Sequence, residues 1–385
     1  MKLGASGVIG SSSRWRAADV ALIVSDAAHT IPLIDPATLR PPVAGLDLWD
    51  LWPVQRVGGE TAEFDGWSLW MVLSAPVLPD PDLRHGIARI RLFSEKAGDW
   101  RDCGNLLPDG LNPGSRDWAG SALYDPETAE LALFFTAAGY QGEPSPSYAQ
   151  RLFQTRGILI VDDGTARVEN WSTPVESAVN DGVDYMVVNQ DSGIPGFIKG
   201  FRDPAHFRDP ATGKDYLLFT GSLAQSESAW NGCIGLAEAA GQGHENWQLL
   251  PPLLVADGLN NEQERPQIIF HGGLYYLFWS TQRKVFAPDG PSGPNGLYGM
   301  VASAMHGPYR PLNGTGLVAA NPDAAPFQAY SWWVTADLEV AGFVDLVGTQ
   351  AGVVDDPAWR RAHFGGMPAP RFRIVLDGSS ASVAL

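Results

Sequence analysis

Three short segments set a carboxylate beside an aromatic ring or a guanidinium: WDLWPVQ (49–55), FRDPAHF (201–207) and QERPQIIF (263–270). The acids are Asp50, Asp203 and Glu264. Three carboxylates converging on one place suit glycoside chemistry. One attacks an anomeric carbon, a second protonates the leaving oxygen, and a third holds sugar hydroxyls. Arg202 and Arg265 each adjoin one of these acids, where a guanidinium keeps a carboxylate ionised and donates to sugar oxygens. From sequence alone, a structural salt bridge serves both arginines equally well. Asp-Pro and Glu-Arg-Pro are also ordinary turn and cap sequences, so the case rests on the three acids sharing comparable points of a repeat.

Other chemistries find little footing. The chain has no GxGxxG or Walker loop, no HExxH and no GxSxG elbow. Its seven histidines (His29, His85, His206, His244, His271, His306, His363) are scattered, which argues against a histidine metal site. EF-hand loops are absent, while an irregular oxygen-lined calcium site stays open at this point. Cys103 and Cys233 lie far apart without CxxC spacing. Two buried free thiols are favoured over a single disulfide.

The elements that would carry the acids repeat along the chain. An apolar, aromatic-rich run ending in small residues recurs as GWSLWMVLSA (66–75), ELALFFTAAG (130–139), KDYLLFTGS (214–222), GLYYLFWST (273–281) and LEVAGFVDLVG (338–348). The starts are spaced by about 60 to 85 residues, and each run is bounded by Gly, Asp or Pro, which is the grammar of strands. Upstream of each lies a polar-aromatic segment; besides the three above these are DWAGSALY (117–124) and YSWWV (330–334). YDPETAEL (124–131) and RDPATGKDYL (208–217) read as strand–turn–strand.

Five such units predict an all-β chain: one domain over residues 1–385, a single five-bladed β-propeller with the active site in its central funnel. The first 40 or so residues are expected to wrap it or to be partly irregular, and VFAPDGPSGPNGL (285–297) to form a long surface loop.

Composition agrees with a small neutral ligand. The 385 residues carry 43 acids against 26 bases, a formal charge of −17, which suits neither nucleic acid nor an anionic membrane. Gly 43 and Pro 30 fit many short strands and turns, and Trp 14 supplies indoles for cores and for stacking on sugar rings. The N-terminus has no continuous apolar core of a Sec signal, and no stretch approaches about 20 apolar residues.

The segments DLWDLWPVQ, FRDPAHFRDP, NNEQERPQIIF and GPYRPLNGTGLV resemble, in order, motifs of the bacterial levansucrase, inulosucrase and β-fructofuranosidase family, glycoside hydrolase family 68. The similarity runs from about Asp47 to Gly348. It implies a retaining, two-step transfer of the fructosyl unit of sucrose to water, sucrose or oligosaccharides, without a cofactor. By this resemblance Asp50 is the nucleophile, Asp203 holds fructosyl hydroxyls and stabilises the transition state, and Glu264 is the general acid/base. Glu262 helps bind substrate, Arg202 and Arg265 contact substrate or organise the site, Trp49 and Trp118 wall the fructosyl pocket, and Tyr330 lies near Glu264. Glu264 is then expected to have a raised pKa and Asp50 to stay ionised.

Three departures from the family pattern bear on products and ions. Gln282 stands where polymer-forming relatives place His or Arg to orient the acceptor, which tilts the expectation towards hydrolysis and short oligosaccharides; Arg283 is the adjacent candidate substitute. Phe197 and Asn261 stand at calcium-binding aspartate positions, so no such calcium and no other metal is expected. Ala119 replaces a serine found beside the nucleophile in some members. The resemblance places the protein outside the cell or in the periplasm, with the cytoplasm as the alternative. A propeller glycosidase acting on fructan or arabinan and a non-catalytic sugar-binding propeller are the competing functions. Oligomeric state and the linkage formed are not read from the sequence.

Overall fold

The computed structural model describes residues 12–188, 198–241, 246–349 and 355–384. Each aromatic run becomes the second strand of an antiparallel meander, and each polar-aromatic segment becomes the first. The first strands are Leu46–Gln55, Arg116–Asp125, Phe201–Arg208, Glu264–His271 and Ala329–Val334. Their partners are Trp67–Pro76, Glu130–Ala138, Asp215–Ser222, Leu274–Thr281 and Glu339–Leu346. Further strands extend each meander outward, ending at Asp99–Asn105, Thr165–Glu169, Trp247–Val255, Leu317–Ala320 and Ser380–Ala384.

The hairpin turns follow their residues. Asp163–Gly164 and Gly272–Gly273 take positive φ at both positions, as a two-residue turn between right-twisted strands requires. In the Asp-Pro turns, Asp125 accepts from Glu127 N (2.9 Å) and Asp209 from Ala211 N (3.0 Å).

The five first strands touch in a closed cycle: 46–55 with 116–125, then 201–208, 264–271, 329–334 and back to 46–55. Hydrogen bonding divides the meanders into four sheets rather than five, because Val54 and Gln55 pair in parallel with Ala122 and Leu123 and join the first two. Between meanders lies the core, with Trp52, Trp70, Trp332 and Phe93 essentially fully buried. The N-terminal stretch crosses the outside of the later meanders. Ser13–Arg14 pairs in parallel with Leu254 and Val255, and Trp15 packs on Trp279, Phe286 and Tyr298. The 285–297 segment is thereby less of a surface loop than its composition implies, since Val285 and Phe286 are buried. Among the described residues no helix is long and apolar enough to cross a membrane.

All five first strands break register at the same point. One extra residue is inserted after Trp49, Trp118, Arg202, Glu264 and Tyr330. The residue that follows is Asp50, Ala119, Asp203, Arg265 or Ser331, and four of these five adopt positive φ (32°, 62°, 51° and 59° for Asp50, Asp203, Arg265 and Ser331). A bulge re-aims side chains that a regular strand would send to alternate faces. Repeated five times around a closed cycle, it turns two successive residues of every meander towards one site.

Candidate active site

The bulges gather two rings of side chains. Trp49, Trp118, Arg202, Glu264 and Tyr330 form one, and Asp50, Ala119, Asp203, Arg265 and Ser331 the other. Glu264 is therefore one residue out of step with Asp50 and Asp203, a refinement of their supposed equivalence. The offset puts Arg265 at the position where the first and third meanders carry Asp50 and Asp203, so a guanidinium stands beside the two acids in the same ring.

Backbone latches hold the bulges. Thr136 Oγ1 accepts from Asp203 N (2.8 Å), Thr220 Oγ1 from Arg265 N (3.2 Å), and Ser280 Oγ from Trp332 N (2.9 Å). In each case a hydroxyl on the second strand of one meander satisfies the bulge of the next. The signal was present in the sequence, as the hydroxyl closing each of the runs LFFT, LLFT and LFWS. On Trp118's strand, Gly120 lets the chain pass Phe134, whose carbonyl oxygen would lie 1.9 Å from an added Cβ.

Arg265 is an organiser. Its guanidinium donates to Leu51 O (2.6 Å), Ser331 O (3.0 Å) and Ser331 Oγ (2.9 Å), and lies over the Trp52 and Trp333 rings. One side chain thus ties the first, fourth and fifth meanders. The Ser331 hydroxyl in turn hydrogen-bonds Asp50. Arg202 sits among acids: Nη2 lies 3.1 Å from Glu262 and 2.9 Å from Glu264, and Nε 3.6 Å from Asp203. Among the described residues its buried Nη1 has no partner, and neither has Nε1 of Trp49. The Tyr330 hydroxyl donates to Glu264 Oε2 in a short bond. Trp118 Nε1 donates to His85 O (3.1 Å).

Electrostatics separates the acids. Burial raises the pKa of Asp50 despite Arg265 and the Ser331 hydroxyl, and pushes Asp203 up to about 6 despite Arg202. Burial also pushes Glu262 up to about 7. For Glu264 burial works in the same direction, but Arg202 and the Tyr330 hydroxyl outweigh it and hold the group below its usual value. The expected raised pKa of Glu264 is thus not met; the raised group is Glu262, its neighbour on Arg202 Nη2. Asp203 feels both Glu264 and Asp50, so the three acids converge electrostatically.

Gln282 lies at this site and acts on the Tyr330 hydroxyl, opposing the effect of burial on it. The neighbouring cation that Glu262 and Glu264 feel is Lys284, while Arg283 acts on Tyr298 instead. Phe197 lies outside the described residues. Asn261 is buried and accepts from Lys199 Nζ (2.7 Å), an ammonium also held by Asn231 Oδ1 (2.6 Å) and Ala229 O. Cys103 and Cys233 are both free; Cys233 is buried, whereas Cys103 is only half-buried. Among the described residues no group of three or more His, Cys, Asp or Glu side chains could hold a metal ion. Residues that the sequence did not single out are Ser331, Lys284, Arg84 and Asp345; burial pushes the Asp345 carboxyl up to about 6, opposed by Arg84 and Lys284.

The profile of the levansucrase/invertase family matches residues 8–231 and 224–385. A levansucrase of Zymomonas mobilis is 32% identical, over 97% of this chain and 91% of its own length. An inulosucrase from Halalkalicoccus jeotgali, solved bound to kestose, superposes with a TM-score of 0.89 at 36% identity, covering 97% of this chain and 95% of that one. The β-fructofuranosidase catalytic domain of Microbacterium saccharophilum K-1 gives 0.83 at 25%, with 97% and 91% covered.

Proposed function

The chain belongs to the levansucrase/invertase family, glycoside hydrolase family 68, and on that footing we propose that it cleaves sucrose through a fructosyl–Asp50 ester. Enzymes of this type are glycoside hydrolases and fructosyltransferases. We read the five meanders as the blades of one propeller forming a single domain, supported by the closed cycle of first strands.

The fructosyl ring of sucrose lies between the Trp49 and Trp118 indoles, with Nη1 of Arg202, which has no partner among the described residues, as a waiting donor. Asp50 attacks the anomeric carbon while Glu264 gives its proton to the glycosidic oxygen, and glucose leaves. Asp203 accepts from fructosyl hydroxyls as positive charge develops on the ring. In the second step Glu264 takes a proton from water or a sugar hydroxyl, which attacks the ester with net retention. The proton for the first step is supplied from Glu262, which shares the Arg202 Nη2 donor with Glu264. Sucrose and the accepting sugars or water are the only partners this chemistry requires.

The observation that carries this reading is the five-fold bulge, which turns Asp50, Asp203 and Glu264 to one point from three distant parts of the sequence. For products, Gln282 lies beside Tyr330 and, being neutral, offers no cation to an acceptor, which favours fructose and short fructo-oligosaccharides. The test is free glucose and free fructose over time in sucrose, with Asp50→Asn as control. Glucose from the wild type alone supports the reading; fructose equal to glucose means hydrolysis and a fructose deficit means transfer. Absence of glucose release by the wild type overturns it.

A further inference from the structure

The six-residue turn Pro81–Gly86 reaches both indoles of the pocket. Its His85 carbonyl accepts from Trp118 Nε1, and the His85 ring meets Trp49 edge-on, centroids 5.8 Å apart. The Arg84 guanidinium is wedged between two rings, its Cζ 5.3 Å from the Trp49 centroid and 4.4 Å from that of Phe364. Arg84 is 6% exposed, and its carboxylate partner, the largely exposed Asp82, is held only loosely. Nη1 donates to Pro81 O (2.8 Å) and to Asp82 Oδ1 at 3.4 Å, and among the described residues Nε has no partner. Burying a guanidinium in this way costs several kcal/mol unless something compensates, and such groups concentrate at functional sites.

The wedge is braced from behind. Arg360, on the helix Pro357–His363, lies 2.6 Å from Asp80 and 3.3 Å from Asp82, clamping the turn from below. Phe364 follows that helix directly, so one C-terminal segment supplies both the clamp and the outer ring of the wedge.

We propose that Arg84 is a positioning residue for the reaction: its buried guanidinium fixes the Trp49 indole and keeps a positive charge beside Asp50. The inference rests on Asp50 being the nucleophile. Trp49 and Asp50 are consecutive at a bulge with positive φ, so a wedge against the indole also fixes where the carboxylate points. The charges facing Asp50 are Arg265, Arg84, Glu264, Asp203 and Asp345, together with the Ser331 hydroxyl. Those facing Arg84 are Asp345, Asp82, Asp50, Asp47 and His85. Three acids thus disfavour an ionised Asp50 while two guanidiniums favour it, so loss of either should be visible.

The experiment compares wild type, Arg84→Met and Arg84→Lys of the full chain, measuring kcat, KM, the pH profile of kcat/KM on sucrose, and thermal unfolding. Arg84→Met keeps the volume and removes the charge. It should lower kcat on the order of 10- to 100-fold and move the acid limb of the profile up by about half a pH unit to one pH unit. Arg84→Lys should return the acid limb to its wild-type position while kcat stays several-fold low, because a lysine does not stack as a guanidinium does. An unshifted acid limb in a folded Arg84→Met overturns the inference. Should that variant fail to fold, a wild-type kcat in Arg84→Lys overturns it as well. A wild type that releases no glucose from sucrose instead overturns the functional reading, and this inference with it.

Discussion

Glu262 and Glu264 meet at one donor: Nη2 of Arg202 lies 3.1 Å from Oε2 of the first and 2.9 Å from Oε1 of the second. Burial pushes Glu262 up to about 7, while Arg202 and the Tyr330 hydroxyl hold Glu264 below its usual value. On this reading a proton held at Glu262 supplies Glu264, and the leaving glucose loses its acid once that proton is gone. Glu262→Gln leaves Glu264 to hold its own proton, with an amide donor beside it and its pKa already low. The alkaline limb of kcat/KM on sucrose should then move down by on the order of one pH unit or more. A pH–rate profile checks this, and an unmoved limb would separate Glu262 from proton supply.

Tyr330→Phe should act in the opposite direction. The Tyr330 hydroxyl donates to Glu264 and stabilises its ionised form. Without that donor the carboxyl holds its proton to higher pH, so the alkaline limb moves up. Activity at the optimum should fall roughly 10-fold or less, since the hydroxyl orients Glu264 without itself transferring the proton. Opposite shifts in the two variants, measured in the same buffers, distinguish tuning of the acid from general damage.

Much of this site was legible because its residues sit in a repeat. The alternation of polar-aromatic and aromatic runs located all ten inner strands, and Asp50, Asp203 and Glu264 stood out as acids within them. The bulge was not legible, because an inserted residue leaves no mark on hydrophobic alternation when both faces of a strand are buried, as along Leu48–Gln55 apart from Asp50. Hence the one-residue offset of Glu264 and the role of Ser331 were missed. Arg84 was out of reach for another reason: its meaning comes from Phe364 and Arg360, some 280 residues away in sequence and supplied by the C-terminal segment.

Asp203→Asn should abolish turnover and yet stabilise the fold. Burial raises Asp203 from an ordinary 3.8 to about 6, so the folded state takes up a proton between these values that the unfolded chain does not. Stability therefore declines as pH rises through that window and stays lower above it. Asparagine keeps the shape and can still accept from Thr220 Oγ1, which lies 3.0 Å from the present carboxylate. Thermal unfolding should show the variant more stable at pH 7, by up to roughly 3 kcal/mol, because each tenfold change in proton affinity is worth about 1.4 kcal/mol. The gain should vanish towards pH 4; a gain independent of pH would place its origin elsewhere.

Gln282→His should lengthen the products. Gln282 immediately precedes the turn Arg283–Val285 and acts on Tyr330, which bonds Glu264, so it stands one residue removed from the acid/base. A neutral amide cannot give charge to an incoming hydroxyl, and water, being small and abundant, wins the ester. An imidazole at the same place can hold Tyr330 through one nitrogen and present the other to a sugar hydroxyl, near the Lys284 ammonium that already acts on Glu264. Orienting the acceptor matters only in the second step. Glucose release should therefore change less than about two-fold, while free fructose falls and chains longer than those of the wild type accumulate. Chromatography of the products at equal sucrose conversion makes the comparison. A product ladder identical to wild type, with Asp50-dependent cleavage intact, would show that the acceptor is oriented from another part of the rim, with Lys284 the next residue to substitute.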